Sequence, residues 1–321
     1  MIRLKHISCL IVFLFAFSNC KQENKHAPHS SSPQNVEKDT RFRVMSPPEI
    51  PVMLTETSSR MEYFILHFWD NSMVGDTTFL KHQEDTEQAW ANYIGGLTQV
   101  PFPVATEAIR HLFSRTDWHK GVYKQFVGLA EKYFYDPNSP YRNEEFYIPV
   151  LESMLSSAVL SDAEKIVPQE RLDMAMKNRL HTQATDFTYT LFSGKQGRLY
   201  AISSDFVLLF INNPGCEACT NSIRFINESS SIQAFISEKR LTVLSFYPDE
   251  DLALWKRHYP EYPDNWIVGY DKNLTVLEKG LYDLKAIPTF YLLDKHKKVL
   301  IKDGTLQQIE QFLRGQSITN K

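Results

Sequence analysis

The stretch Phe206-Val207-Leu208-Leu209-Phe210-Ile211-Asn212-Asn213-Pro214-Gly215-Cys216-Glu217-Ala218-Cys219 decides how the C-terminal half of the chain folds. Its first six residues are continuously apolar, the pattern of a strand buried on both faces at the centre of an α/β sheet. Residues 212–215 are a turn by composition. Cys216 and Cys219 then open a helix-competent stretch carrying Ile223, Phe225, Ile226 and Phe235. A C-x-x-C at a strand-to-helix junction has a chemical use. Unpaired backbone N–H groups and the helix dipole favour a thiolate on the first sulfur. The second sulfur, one turn on, is within reach to close a disulfide. The spacing casts Cys216 as the exposed attacking thiol and Cys219 as the shielded resolving thiol. Cys216 would attack a substrate disulfide and hold a mixed disulfide, which Cys219 would release.

Working outward, the apolar pattern changes from helical period to short strands at about Thr185. Residues 187–191 read as a strand, 193–197 as a turn and 198–200 as a returning strand. Downstream, 241–247 read as an apolar strand, 251–259 as a helix and 266–270 as a short strand. Ala286-Ile287-Pro288-Thr289-Phe290 leads into a strand over 291–293. A hairpin turn at 295–298, a strand at 299–301 and a helix over 306–314 complete the pattern.

On the Cys216–Cys219 pair and Ile287-Pro288-Thr289, the chain from about Ala184 to Arg314 resembles the thioredoxin superfamily. The resemblance implies an α/β thioredoxin-like fold at the C-terminus. It also implies a redox-active disulfide between Cys216 and Cys219, and a cis-proline loop lying against it. In that likeness Ile287, Pro288 and Thr289 bind substrate, Ile287 through its backbone, with Pro288 keeping the loop close and offering no competing N–H. The lead-in strands and an extra segment over 248–273 are more similar to the envelope-facing TlpA and ResA branch than to minimal thioredoxin. Two positions depart from the superfamily pattern. Gly215 stands where a Trp commonly precedes the first Cys, and Phe210 where cytosolic thioredoxins carry a buried acid that assists the second.

Other uses of two cysteines fit less well. A structural staple gains most from closing a long loop, and this loop is minimal. Zinc needs four ligands, and the sequence has no second C-x-x-C or paired His. His258 and His296 stand at no telling spacing for copper. A peroxiredoxin wants Thr or Ser three residues before its reactive Cys, where this chain has Asn213. No metal or cofactor is therefore expected.

The N-terminus reads as an address. Arg3 and Lys5 precede an apolar run over 7–17, too short for a comfortable bilayer span, and then Ser18-Asn19-Cys20. This resembles a bacterial lipoprotein cleavage site of the relaxed kind found in Bacteroidota. It implies a signal peptide over 1–19, lipidation of Cys20 and a membrane anchor in the cell envelope. Lys21 after the Cys is compatible with sorting to the outer membrane, with the periplasmic side the expected location. Residues 20–51 are polar and rich in Ser, Pro, Gln and Asn, the composition of a flexible linker.

Residues 52–180 show helical spacing throughout and predict an all-α domain of about six helices. Ser59 with Glu62, and Ser161 with Glu164, have capping-box spacing. Asp85 is placed to cap a helix that Gly95-Gly96 and Pro101 would end, and Pro168 to kink or split another. His67, His82, His111 and His119 are scattered, with no ligand at metal spacing. Glu144-Glu145 fit a helix first turn, where the dipole favours negative charge. The arrangement resembles Bacteroidota lipoproteins that join a helical domain to a thioredoxin-like one over 184–321.

Composition agrees with a folded protein of about two domains. There are 35 Lys+Arg against 38 Asp+Glu, a net charge of −3, so no basic field exists to attract nucleic acid. Four cysteines are too few for a disulfide scaffold. The expected function is thiol–disulfide exchange in the envelope, leaning towards reduction because Glu217 beside the thiolate opposes its formation. The partners are protein thiols and disulfides, plus an upstream electron donor. The other reading is an envelope adaptor that uses a thioredoxin-like scaffold.

Overall fold

The computed structural model describes residues 46–319. The expected signal peptide, the lipidation site Cys20 and most of the linker lie outside the described residues. Among those described, no helix is long and apolar enough to cross a membrane.

Six helices come first: α1 (Thr57–Leu66), α2 (Gln83–Leu97), α3 (Phe102–Thr116), α4 (Lys120–Ala130), α5 (Glu144–Ser156) and α6 (Asp162–Ala175). Their apolar stripes converge on an aromatic core. Phe68, Trp69, Phe79, Trp90, Tyr93, Phe113 and Phe126 are buried there, and Trp69 meets Phe126 edge-on at 5.1 Å between ring centroids. Several helix ends differ from expectation. Ser59 lies inside α1, whose N-cap is Glu56, so its spacing to Glu62 makes no box. Asp85 sits in the first turn of α2 rather than capping it. α2 also runs through Gly95-Gly96. A β-carbon on Gly96 would stand 2.0 Å from Ile65 Cδ1, so this glycine lets α1 and α2 approach and stops nothing. Pro168 lies within an unbroken α6, one turn after a capping box that Ser161 and Glu164 do form.

The sheet has seven strands in the order β2-β1-β5-β4-β3-β6-β7. They are β1 (Thr188–Leu191), β2 (Gln196–Arg198), β3 (Phe206–Ile211), β4 (Leu241–Tyr247), β5 (Ile267–Tyr270), β6 (Thr289–Asp294) and β7 (Val299–Lys302). β3 is central, parallel to β4 and antiparallel to β6, and five of its six residues are buried, as its apolar run requires. The helix expected after Cys216 is two, α7 (Glu217–Glu228) and α8 (Ser230–Ser237), parted where Ser229 caps the second. α9 (Leu252–His258) follows β4, and α10 (Thr275–Glu278) lies between β5 and β6. α11 (Leu306–Thr319) closes the chain. The helical N-terminal part followed by this mixed sheet with flanking helices is a thioredoxin-like fold preceded by helices, as the sequence predicts.

The two parts belong to one compact unit. The strap between them is bonded to both. Lys302 Nζ donates to the carbonyls of Ala175 and Lys177, Asn178 Nδ2 to Leu281 O at 2.8 Å, and the His181 N–H to Val299 O at 2.7 Å.

Candidate active site

β3 delivers the chain to the turn, and α7 takes it away. Gly215 supplies a backbone at φ +75°, a conformation glycine adopts without steric cost. Cys216 is the N-cap of α7, and its Sγ accepts the Cys219 N–H at 3.4 Å. Cys216 is half-buried, whereas Cys219 is 3% exposed. Burial pushes the Cys219 thiol up to about 12, helped by its hydrogen bond to Cys216 and opposed by the Asn213 backbone N–H. The pair is in the dithiol form.

The proline loop reaches the same place through the sheet register. Ile211, the last residue of β3, faces Thr289, the first residue of β6. The peptide bond between Ile287 and Pro288 is cis. Thr289 is buried and donates its hydroxyl to Ala286 O at 2.6 Å. Cys216, Cys219 and Ile287 all pack on one apolar cluster. The five residues singled out in the C-terminal half are therefore brought to the same end of β3. Phe210 is buried and stacks on Phe290 at 5.0 Å, so a ring and not a carboxylate occupies that position in the core.

Three residues that sequence reasoning passed over, and one it weighed only as a copper ligand, lie near the turn that carries the pair. Asn212 is fully buried. Its Nδ2 donates to Ser245 Oγ at 2.8 Å and to Phe210 O at 3.0 Å, and its Oδ1 accepts the Tyr262 hydroxyl at 2.6 Å. Burial raises Tyr262, with the Cys219 charge adding to the effect, so its phenol stays protonated beside the resolving sulfur. The one signal in the sequence was Ser245, a polar residue inside an otherwise apolar strand. The fourth is His258, at the end of α9. Its Nε2 lies 3.7 Å from where a β-carbon on Gly215 would stand, and its Nδ1 is 2.8 Å from Glu261 Oε1.

Elsewhere, His67 and His111 both bond Asp70, at 2.6 and 2.9 Å, with Arg115 Nη1 at 3.4 Å. Burial works to raise Asp70, but these three partners together hold it below its ordinary value. His119 caps α4 through Nδ1. No group of three or more ligating side chains suited to a metal occurs among the described residues.

Comparisons with known proteins agree with this architecture. Residues 18–178 match the family described as a domain of unknown function (DUF5106). A crystal structure of a thioredoxin-like protein from Bacteroides caccae ATCC 43185 superposes with a TM-score of 0.83. It shares 52% identity and covers 85% of this chain and 99% of its own. The C-terminal part is 26% identical over 141 residues to the thiol-disulfide oxidoreductase ResA of Bacillus cereus, and equally to that of Bacillus anthracis. The match spans 43% of this chain and 79% of each relative. The chain belongs to the DUF5106 family and continues, after that domain, as a thioredoxin-superfamily protein of the TlpA and ResA type.

Proposed function

We propose that this protein is a thiol–disulfide oxidoreductase of the cell envelope, tethered through a lipid on Cys20. It exchanges disulfides through Cys216 and Cys219 and runs as a reductant. The observation that carries the proposal is the asymmetry of the pair. One sulfur is accessible at a helix N-cap, and its neighbour is a buried thiol whose backbone N–H points at it. The first attacks, and the second resolves, because only the first can reach a protein disulfide. The loop over 286–289 provides the edge along which an extended substrate would lie, with Ile287 exposing backbone and Pro288 carrying no N–H. Glu217, next in sequence to Cys216, sets an acidic side chain beside the attacking sulfur, which supports the reducing direction.

The test uses the reduced soluble chain with insulin as substrate. Turbidity from B-chain precipitation is expected with the wild type and lost in Cys216→Ala. Cys219→Ser should arrest as a covalent mixed disulfide visible on a non-reducing gel. Activity surviving Cys216→Ala would end the proposal. Partner binding that persists without either Cys would favour the adaptor reading. Titration against glutathione is expected to give a potential well below about −120 mV, the range of strong oxidants.

A further inference from the structure

His258 gains a role if the exchange chemistry proposed above holds, and its assignment rests on that reading. A protein thiol leaving a disulfide departs as a thiolate, and leaving is faster when that thiol is acidic or is given a proton. Phe210 removes the buried acid that could handle protons beneath the pair, and Gly215 leaves the wall above it without a side chain. The inserted segment after β4 fills that side. Asp251 caps α9 by accepting the Leu254 N–H at 2.9 Å. Trp255, fully buried, anchors the helix against Tyr270, Tyr259 and Phe192, at centroid distances of 4.8, 5.5 and 6.0 Å. This frame holds the imidazole in van der Waals reach of residue 215, which immediately precedes Cys216 in the chain. Glu261 fixes which nitrogen does what. Its carboxylate only accepts, so Nδ1 carries a hydrogen towards it, and Nε2 is left on the side of Gly215. In the doubly protonated ring the second hydrogen sits on Nε2.

We propose that His258, oriented by Glu261, is the proton donor to the leaving sulfur of the substrate. Cys216 thiolate forms a bond to one substrate sulfur while the substrate S–S bond breaks. The electron pair goes to the departing sulfur, which takes the proton from His258 Nε2. Neutral His258 regains its proton from water. Cys219 then gives up its proton and forms a bond to Cys216 as the bond from Cys216 to the substrate breaks. The second substrate sulfur leaves with the electron pair and takes up a proton, so that the protein dithiol is oxidised and the substrate disulfide reduced.

The test compares two disulfides with the reduced full chain in stopped flow. Glutathione disulfide has basic alkyl leaving thiols, and 5,5′-dithiobis(2-nitrobenzoate) has an acidic aryl one that needs no proton. Both are anionic, so a lost positive charge affects them alike. His258→Asn is expected to lower the alkyl-to-aryl rate ratio by about tenfold or more. Glu261→Gln should lower it by a smaller factor. An unchanged ratio in His258→Asn overturns the role, even if both rates fall together, because that is what a structural defect would do. If Cys216→Ala keeps both rates, the exchange reading fails and this one with it.

Discussion

At the scale of single residues, Cys219 sets the logic of the site. A thiol held near 12 by burial is almost wholly protonated at neutral pH and is no competitor for external disulfides. It acts only on the mixed disulfide that Cys216 forms beside it. Timed alkylation of the reduced protein with iodoacetamide, read by peptide mass spectrometry, should show this. At pH 8 Cys219 is expected to label about three orders of magnitude more slowly than an ordinary thiol titrating near 8.5. Its rate should climb about tenfold per pH unit until near 12, whereas an ordinary thiol levels off above 9. The sign of the linked stability follows. Because the folded value is raised, the group's contribution is complete below the unfolded thiol's range and is lost as pH rises from about 9 towards 12. Labelling of Cys219 that saturates by pH 9 would show a thiol not governed by burial.

At the scale of elements, the contact of α1 with α2 gives a paired test on adjacent glycines. Gly95 has open space where a side chain would start, whereas Gly96 faces the tip of buried Ile65. Gly95→Ala should therefore stabilise the protein by about 0.5–1 kcal/mol through helix propensity. Gly96→Ala should destabilise it by about 1 kcal/mol, since overpacking outweighs the same gain. Combining it with Ile65→Val, which removes the clashing methyl, should restore about 1 kcal/mol beyond additivity in urea denaturation. The same pair shows what a sequence reveals. Helical period located α1 to α6, and the apolar run located β3, because burial imprints a local rhythm. Gly95-Gly96 resembled a stop because local propensity cannot know that a neighbouring helix needs the space. Cys216, Cys219 and the proline loop were legible as short motifs. Asn212, Ser245 and Tyr262 were not, because their meeting is made by the fold and not by spacing, and the three-residue spacing of His258 and Glu261 does not say that the imidazole lies against Gly215.

At the scale of the whole molecule, the helical part is locked to the sheet by charges, among them Glu144, which the sequence placed in a helix first turn. Glu144, in the first turn of α5, contacts Lys302 on β7 and lies 3.8 Å from Lys285, which precedes the proline loop and pairs with Asp283. Arg142 bonds Asp303, and Arg179 clasps Glu145. Lys302 is only 6% exposed, so its pair with Glu144 is an interior one whose loss is little cushioned by water. Burial raises Glu144 above its ordinary value even though Lys302 and Lys285 pull the other way. Replacing Lys302 with Met should thus leave a buried carboxylate short of its partner and cost about 3 kcal/mol at pH 7.5. Because the folded value is raised, the carboxyl prefers to be neutral in the native state, and the deficit should shrink as pH falls to 5. Adding Glu144→Gln should recover most of it at pH 7.5. The part left over belongs to the Ala175 and Lys177 carbonyls, which also lose a donor. A deficit independent of pH, unrelieved by Glu144→Gln, would mean that the lysine stem's packing and those two carbonyls hold the halves together, and not the charge.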